Sequence, residues 1–559
     1  MIQAKDKYQL RNWELVSINP NKRDWHWIDF FNYWAVSIQS VIGFSLIVSL
    51  YLLYDLNSLV VLGGTLFAGF IVFLLTNFIG NISQSSGLSF PVILRMSMGF
   101  NGARYIGMIR GLIGIFMFGV QTFFISKSIG YIFRIILFKI DNQLINHEFF
   151  FLFFFGLNAI DWSALFITLI IQFILFTQSQ GFNKSFIKFS SIFIYFGLVL
   201  FLIIIISEHY VELISSFKLS TNINNAVSKN NIYPFISITG TMFAYFSIML
   251  VNFGDFSRFA KNNSEMTKGN LSLLLNIILF SFFALAICLG ADIILAKNSI
   301  SVERLLTNPN DIIGKLNNNY LTVVSLIFIL ISSLSTNLIA NYIPSQNTLL
   351  NFIPNSLSLK STGALISICA LAVSTFWLSV FSQAPILSFF DTLIAFLGPI
   401  FGIVVADYYH VQRKKINHKE LFYPKDTTQY IYNNGWNNKA LYSLLIGFIH
   451  KELDFKSFYN AAAEGATQTA VVMLLVGASV LLGEFLTVEQ IPQKVAQSII
   501  GLTNNKYFVL MILNVFLLII GLFLHSAAAI ILTVPIVMPL VNAVGIDPAH
   551  FGIIVTLNL

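Results

Sequence analysis

Charge is what this chain has least of. Asp, Glu, Lys and Arg make up 10% of its 559 residues, while 56% are hydrophobic and the mean hydropathy is +0.77. Soluble domains carry roughly a quarter charged residues, so the shortage excludes a soluble globular protein and implies a polytopic membrane protein. Cysteine is nearly absent too. Cys288 and Cys369 lie far apart in apolar stretches, which excludes a disulfide framework or a thiolate metal site. There is no glycine run closed by Lys to cradle phosphates, no His/Cys set at metal spacing and no nucleophile elbow. The sequence therefore implies no enzyme and no organic cofactor. A cleavable leader is not expected, because the first 30 residues are polar and the apolar stretch that follows, Phe30 to Tyr54, is longer than a signal h-region.

What is present is apolar sequence in long runs. The 57 Phe residues fall on every run without periodicity and read as compositional bias, not as a binding surface. Ten stretches before residue 410 are long enough to cross hydrocarbon, at roughly 20 residues each: 30–54, 59–80, 104–137, 149–178, 186–207, 235–253, 271–295, 321–345, 363–382 and 386–409. Basic residues collect in alternate connections. Arg95 and Arg104, Lys184 and Lys188, Arg258, Lys261 and Lys268, and Arg413, Lys414, Lys415 and Lys419 all fall on the side of the basic N-terminus. The positive-inside rule places that side in the cytoplasm, and the net charge of +7 is orientation information, not a nucleic-acid footprint. The expected location is the inner cell membrane, with the lipid bilayer as the surrounding partner.

Ten spans, with the sixth entering opposite to the first, suggest a five-plus-five inverted repeat, a plan that puts substrate at the midplane beside broken helices. Polar clusters stand at corresponding places. They are Ser37, Gln39 and Ser40 before Gly43 in the first span, and Thr239, Gly240 and Thr241 in the sixth. Each cluster alone reads as helix-packing contact, but the two together, at positions related by the repeat, read as a site. The eighth span carries SSLSTNLIAN, with hydroxyls at Ser335 and Thr336 and carboxamides at Asn337 and Asn341.

Several motifs in order give a resemblance. NPNKRDWHWIDFFNYW, SGLSFPVILRMSMGFNGA, FGVQT, VNFGDFSRFAK, LSTNLIANYIPSQN and FLGPIFGIVVADYY resemble segments of the nucleobase:cation symporter-1 family over residues 12–436. That resemblance implies a leucine-transporter-like, all-α ten-helix core at 30–410, after a cytoplasmic tail at 1–29 and before a cytoplasmic linker at 411–440. It implies import of a nucleobase or related heterocycle (uracil, cytosine, purine, hydantoin or allantoin class) coupled to a cation. It places Gln39, Gln121 and Asn341 around the substrate, with Asn337 bracing them. Carboxamides suit an amide heterocycle because each offers a donor and an acceptor without burying charge. At two positions where the family often has Trp, this chain has Met117 and Phe246. Asp255 and Arg258 read as a gate or a structural ion pair.

The family's sodium site carries over onto the Ala35 and Ile38 carbonyls, the Ser332 carbonyl and the Ser335 and Thr336 hydroxyls. Sodium is a hard cation that prefers oxygen ligands. The alternative for the two hydroxyls is back-bonding within their own helix. A proton is the alternative coupling ion. Sodium ranks first because no carboxylate lies mid-membrane in the first, third, sixth or eighth span, where a proton carrier would sit.

From about Tyr442 the text changes. YSLLIGFIHKELDFKSFYN and HSAAAIILTVPIVMPLVNAVGIDPAHFG resemble the large membrane subunit of tripartite ATP-independent periplasmic (TRAP) transporters. Residues 441–559 are expected to add three or four helices without the two repeats of a complete transport site. Two other functional classes follow from this tail. One is a TRAP-type organic-acid component working with a periplasmic binding protein. The other is a nonfunctional fusion membrane protein.

Overall fold

The computed structural model describes residues 15–53, 58–141, 153–220, 232–297, 319–354, 356–376, 397–422, 429–442, 506–523 and 544–558, together with 309, 313, 537, 538 and 541. It is helical throughout, and the chain forms two compact units, Met1–Gly447 and Phe448–Leu559.

The first span is two helices, α1 (Trp27–Ile38) and α2 (Val41–Leu53). α1 starts with a capping box in which the Asp29 carboxylate accepts the His26 N–H at 2.9 Å. It ends because the chain turns at Gln39 and Ser40, and the two halves are bent by 61°. The Ser40 N–H bonds the Ile38 carbonyl at 2.9 Å instead of continuing the helix. Its hydroxyl then accepts the Gly43 N–H at 2.9 Å, capping α2. Gly43 has no alternative residue here, since a Cβ would stand 2.9 Å from the Ile38 carbonyl oxygen and 3.0 Å from the Tyr245 hydroxyl.

Next come α3 (Ser58–Ser86), α4 (Phe90–Ile140), α5 (Ala159–Phe176), α6 (Gln180–Ser220), α7 (Ile232–Asn252), the short α8 (Gly254–Ser257) and α9 (Asn263–Lys297). α4 bends at Gly99, whose φ of 79° leaves helical space. α10 (Asn319–Asn337) passes through a π-helical turn, Leu338–Tyr342, into α11 (Ile343–Phe352). α12 (Leu359–Phe376), α13 (Leu397–Val411) and α14 (His418–Phe422) complete the described part of this unit. Eight helices among the described residues are long and apolar enough to cross a membrane, nine with the bent first pair counted as one span. The exposed faces of α3, α5 and α6 carry Phe67, Phe70, Ile170, Phe189, Ile192 and Phe196, the pattern of helices that meet lipid.

The sixth span differs from the sequence expectation. No break occurs at 239–241, and α7 is continuous. Thr239 donates to the Phe235 carbonyl at 2.8 Å, one turn back, and reaches the Gly64 carbonyl of α3 at 3.2 Å. This cluster joins helix to helix, as small and hydroxyl residues do in membranes. Part of the ninth and tenth expected spans, and most of 441–505, lie outside the described residues.

The segment 429–442 packs on the start of α4. The Tyr432 hydroxyl donates to the Met96 carbonyl at 2.7 Å, the Asn101 N–H to the Gly435 carbonyl at 2.7 Å, and the Asn437 N–H to the Met98 carbonyl at 3.0 Å. In the second unit, α15 (Lys506–Phe523) and α16 (Pro548–Asn558) share a core of Val509, Leu513, Leu517, Phe551 and Val555.

Candidate functional site

The break in the first span faces α10. When a helix stops, its last carbonyls lose their intrahelical partners. Here the Ala35 carbonyl accepts the Gln39 N–H at 3.1 Å and the Ile38 carbonyl accepts the Ser40 N–H, which leaves the Val36 and Gln39 carbonyls for a neighbour. α10 supplies it. The Thr336 hydroxyl lies 2.7 Å from the Val36 carbonyl and 3.0 Å from the Ser332 carbonyl. The Ser335 hydroxyl lies 2.9 Å from the same Ser332 carbonyl and 2.8 Å from that of Ile331. The Ser332 hydroxyl donates to the Gln39 carbonyl. Neutral hard oxygens from two helices thus gather at one break, with Ser332 at the centre. Among the described residues there is no cluster of His, Cys, Asp or Glu that could hold a metal. This donor set suits an alkali cation and not a transition metal.

Beside the break lies a cavity of about 40 Å³. Its walls are Trp34, Ser37 and Ser40 of the first span, Met117 and Gln121 of α4, Tyr245, Phe246 and Met249 of α7, and Thr336 and Asn341 from the eighth span. The carboxamides on its wall have a fixed polarity. Asn337 Nδ2 faces the Phe118 carbonyl at 3.3 Å, an acceptor only, so Asn337 Oδ1 points to Asn341. Asn341 Nδ2 donates to Asn337 Oδ1 at 2.8 Å and to Gln121 Oε1 at 3.1 Å. Gln121 Nε2 in turn donates to the Ser333 carbonyl at 3.3 Å. Backbone carbonyls hold both ends of this relay. Asn341 therefore keeps its Oδ1 as an acceptor, and Gln121 keeps one N–H as a donor. The π-helical turn at Leu338–Tyr342 sets Asn341 in place.

Gln39 lines a second, larger cavity of about 110 Å³, walled by Phe44, Leu198, Phe201 and Phe328, on the α6 side of the break. The sequence reading grouped Gln39 with Gln121 and Asn341; in the structure the two cavities adjoin at Ser40. Met117 and Phe246 do face the smaller cavity. An indole is there too, from Trp34, whose Nε1 donates to Asn270 Oδ1 at 3.1 Å.

Four residues escaped the sequence reading. Val36 contributes only a carbonyl, which a break at Gln39 could have signalled. The Tyr245 hydroxyl bonds the Ser40 hydroxyl at 2.7 Å across the first and sixth spans. Trp34 closes the first quoted motif, which assigns it no role at the cavity. Arg110, 1% exposed, donates to the carbonyl of cavity-lining Ala340 at 2.8 Å. Asp255 accepts the Phe90 N–H at 3.1 Å and the Asn252 amide at 3.2 Å. Burial pushes its carboxyl up, and Arg258 beside it pulls it back.

The profile of permeases for cytosine/purines, uracil, thiamine and allantoin matches residues 17–477. The chain belongs to this family. Among its relatives are a purine–uracil permease of Arabidopsis thaliana, 24% identical over 451 residues (79% of this chain, 70% of that one), and the allantoin permease of Bacillus subtilis, 24% identical over 453 residues (78% and 86%). Mhp1, a nucleobase-cation-symport-1 transporter solved closed with bromovinylhydantoin bound, shares the permease fold at a TM-score of 0.59 and 18% identity, over 78% of this chain and 90% of its own. The tail has a second kinship. Residues 437–559 match the DctM component of tripartite ATP-independent periplasmic transporters. An isethionate TRAP permease of Oleidesulfovibrio alaskensis is 45% identical over 121 residues, 22% of this chain and 19% of that protein, so the permease chain spans about a fifth of that relative. The polytopic helical fold and the permease family are therefore established together.

Proposed function

We propose that this permease imports a nucleobase-like heterocycle across the inner membrane, N-terminus in the cytoplasm, with sodium as the coupling ion. One observation carries the reading. A carboxamide pair of fixed polarity, Asn341 and Gln121, faces a cavity that shares Thr336 with the oxygen-lined helix break. An N–H beside a carbonyl on a ring edge meets the Asn341 acceptor and the Gln121 donor. The cavity of about 40 Å³ holds on the order of three water-sized probes and is too small for a heterocycle, so ligand entry requires the spans to part. The names of the relatives, which include purine–uracil and allantoin permeases, support the substrate class.

Sodium bound by the Ser335 and Thr336 hydroxyls with carbonyls of Ala35, Ile38 and Ser332 would join α1 to α10 and favour the state in which Asn341 faces the ligand. Coupling of this kind is reciprocal, so substrate raises sodium affinity by the same factor. The test is uptake into proteoliposomes with sodium, with choline, and with a pH gradient alone. Uptake that needs only the pH gradient would make the proton the driver. A second reading rests on the tail, whose DctM match favours an organic-acid component. That reading requires uptake to depend on an added periplasmic binding protein and to be lost when residues 448–559 are deleted.

A further inference from the structure

Arg110 stands on α4 two turns before Met117. It is 1% exposed. One nitrogen, Nη2, donates to the Ala340 carbonyl at 2.8 Å and reaches the Ile248 carbonyl at 3.5 Å. The geometry follows from sequence. Pro344 has no N–H to return to the Ala340 carbonyl as the fourth residue on in an α-helix would, and the guanidinium takes that oxygen. Gly114 makes the room, since a Cβ there would lie 2.8 Å from Nη1.

The other guanidinium nitrogens, Nε and Nη1, are buried without a hydrogen-bond partner. Asp255, 1% exposed, acts on Arg110, and Arg258, 2% exposed, acts on Asp255. Both Asp255 oxygens are engaged, by the Phe90 N–H and the Asn252 amide. Among the described residues, Asp255 is the carboxylate that acts on Arg110. Tyr33 is the other titratable group facing Arg110. An ionisable side chain buried in a span at such a desolvation cost points to a functional role. The substrate cavity is close. Ile248 and Ala340, whose carbonyls Arg110 holds, both line the cavity.

We propose that Arg110 is an anion subsite beside the chamber, behind the Ile248 and Ala340 carbonyls, and that the transported heterocycle bears a negatively charged oxygen, as a ring carboxylate or an ionised imide does. This rests on the carrier reading above. An anion would satisfy the free N–H groups and bring Arg110 a countercharge whose oxygens are not already engaged, whereas a neutral carbonyl would accept the N–H groups but bring no charge. Sodium entering at the break then travels with a ligand of opposite sign.

The experiment uses the full chain in nanodiscs and two ligands that differ by one carboxylate, uracil and 6-carboxyuracil. A hydrogen-bonded charge pair predicts binding of the carboxylated ring about ten- to a hundredfold tighter than of uracil. Arg110→Gln should erase that advantage, and Arg110→Lys should keep part of it. A wild type that prefers uracil, or binds both alike, overturns the proposal even if the Gln variant fails to insert. Equal preference in wild type and Gln variant overturns it as well. In those cases the carrier reading stands, because a heterocycle still binds. If no ring of either charge binds, the carrier reading falls and the subsite falls with it.

Discussion

Thr336→Val isolates the contact between the broken first span and α10. Valine keeps the β-branched shape and removes one oxygen. In the structure that oxygen has one hydrogen to give and stands between two carbonyls, at 2.7 Å from Val36 and 3.0 Å from Ser332. Thr336 is 3% exposed, so water does not replace it without rearrangement. Leaving the Val36 carbonyl unsatisfied costs about 1–3 kcal/mol, which is roughly a tenfold to hundredfold change in any equilibrium that requires this contact. If the hydroxyl also holds sodium, the loss appears in the sodium dependence. Substrate binding is measured against sodium concentration in nanodiscs, with choline keeping ionic strength constant. Half-saturation by sodium is expected to rise at least tenfold in the variant, with substrate affinity in choline unchanged. Thermal unfolding in choline separates the two roles, since a purely structural bond lowers stability equally in both salts. An unchanged sodium curve beside a lowered Tm would refute the cation assignment and leave Thr336 as a helix–helix bond. Ser335→Ala is the matching control on the neighbouring hydroxyl.

Asn341→Ala removes both the ligand acceptor and the group that orients Gln121, and Gln121→Ala removes the matching donor; each should weaken heterocycle binding about tenfold to a hundredfold while membrane insertion is retained, as read by competition binding and fluorescence-detected size exclusion. Met117→Trp should tighten binding of flat aromatic rings, because stacking adds about 0.5–1.5 kcal/mol beyond area burial; isothermal titration that finds no gain would mean position 117 does not cover the ring. Gly99→Ala puts a Cβ into left-handed backbone at φ 79° and 2.6 Å from the Gly435 carbonyl oxygen, so it should destabilise by at least about 1–2 kcal/mol; an unaltered Tm would argue against the bend in α4 and its docking on 429–442.

Much of this molecule is determined by sequence alone. Runs of apolar residues interrupted by polar connections dictate membrane-spanning helices, because backbone groups in hydrocarbon must be satisfied within the segment. Ser40 before Gly43 marks the break in the first span, since a hydroxyl can cap a new helix and a glycine allows the return of the chain. Asn337 and Asn341, four residues apart, are predictably on one helix face. Tertiary structure decided the rest. The same polar signal at Thr239–Thr241 left α7 whole, because the Thr239 hydroxyl found carbonyls on its own turn and on α3. Gln39 and Gln121 look equivalent as carboxamides, yet the 61° bend sends Gln39 to the α6 side of the break and leaves Gln121 with Asn341. Arg110 falls inside the third apolar run, and nothing in the sequence assigns it a partner. Only the packing of α4 against the π-helical turn and α7 makes it a buried cation beside the chamber, because side-chain partners from distant spans are set by helix contacts that no local pattern encodes.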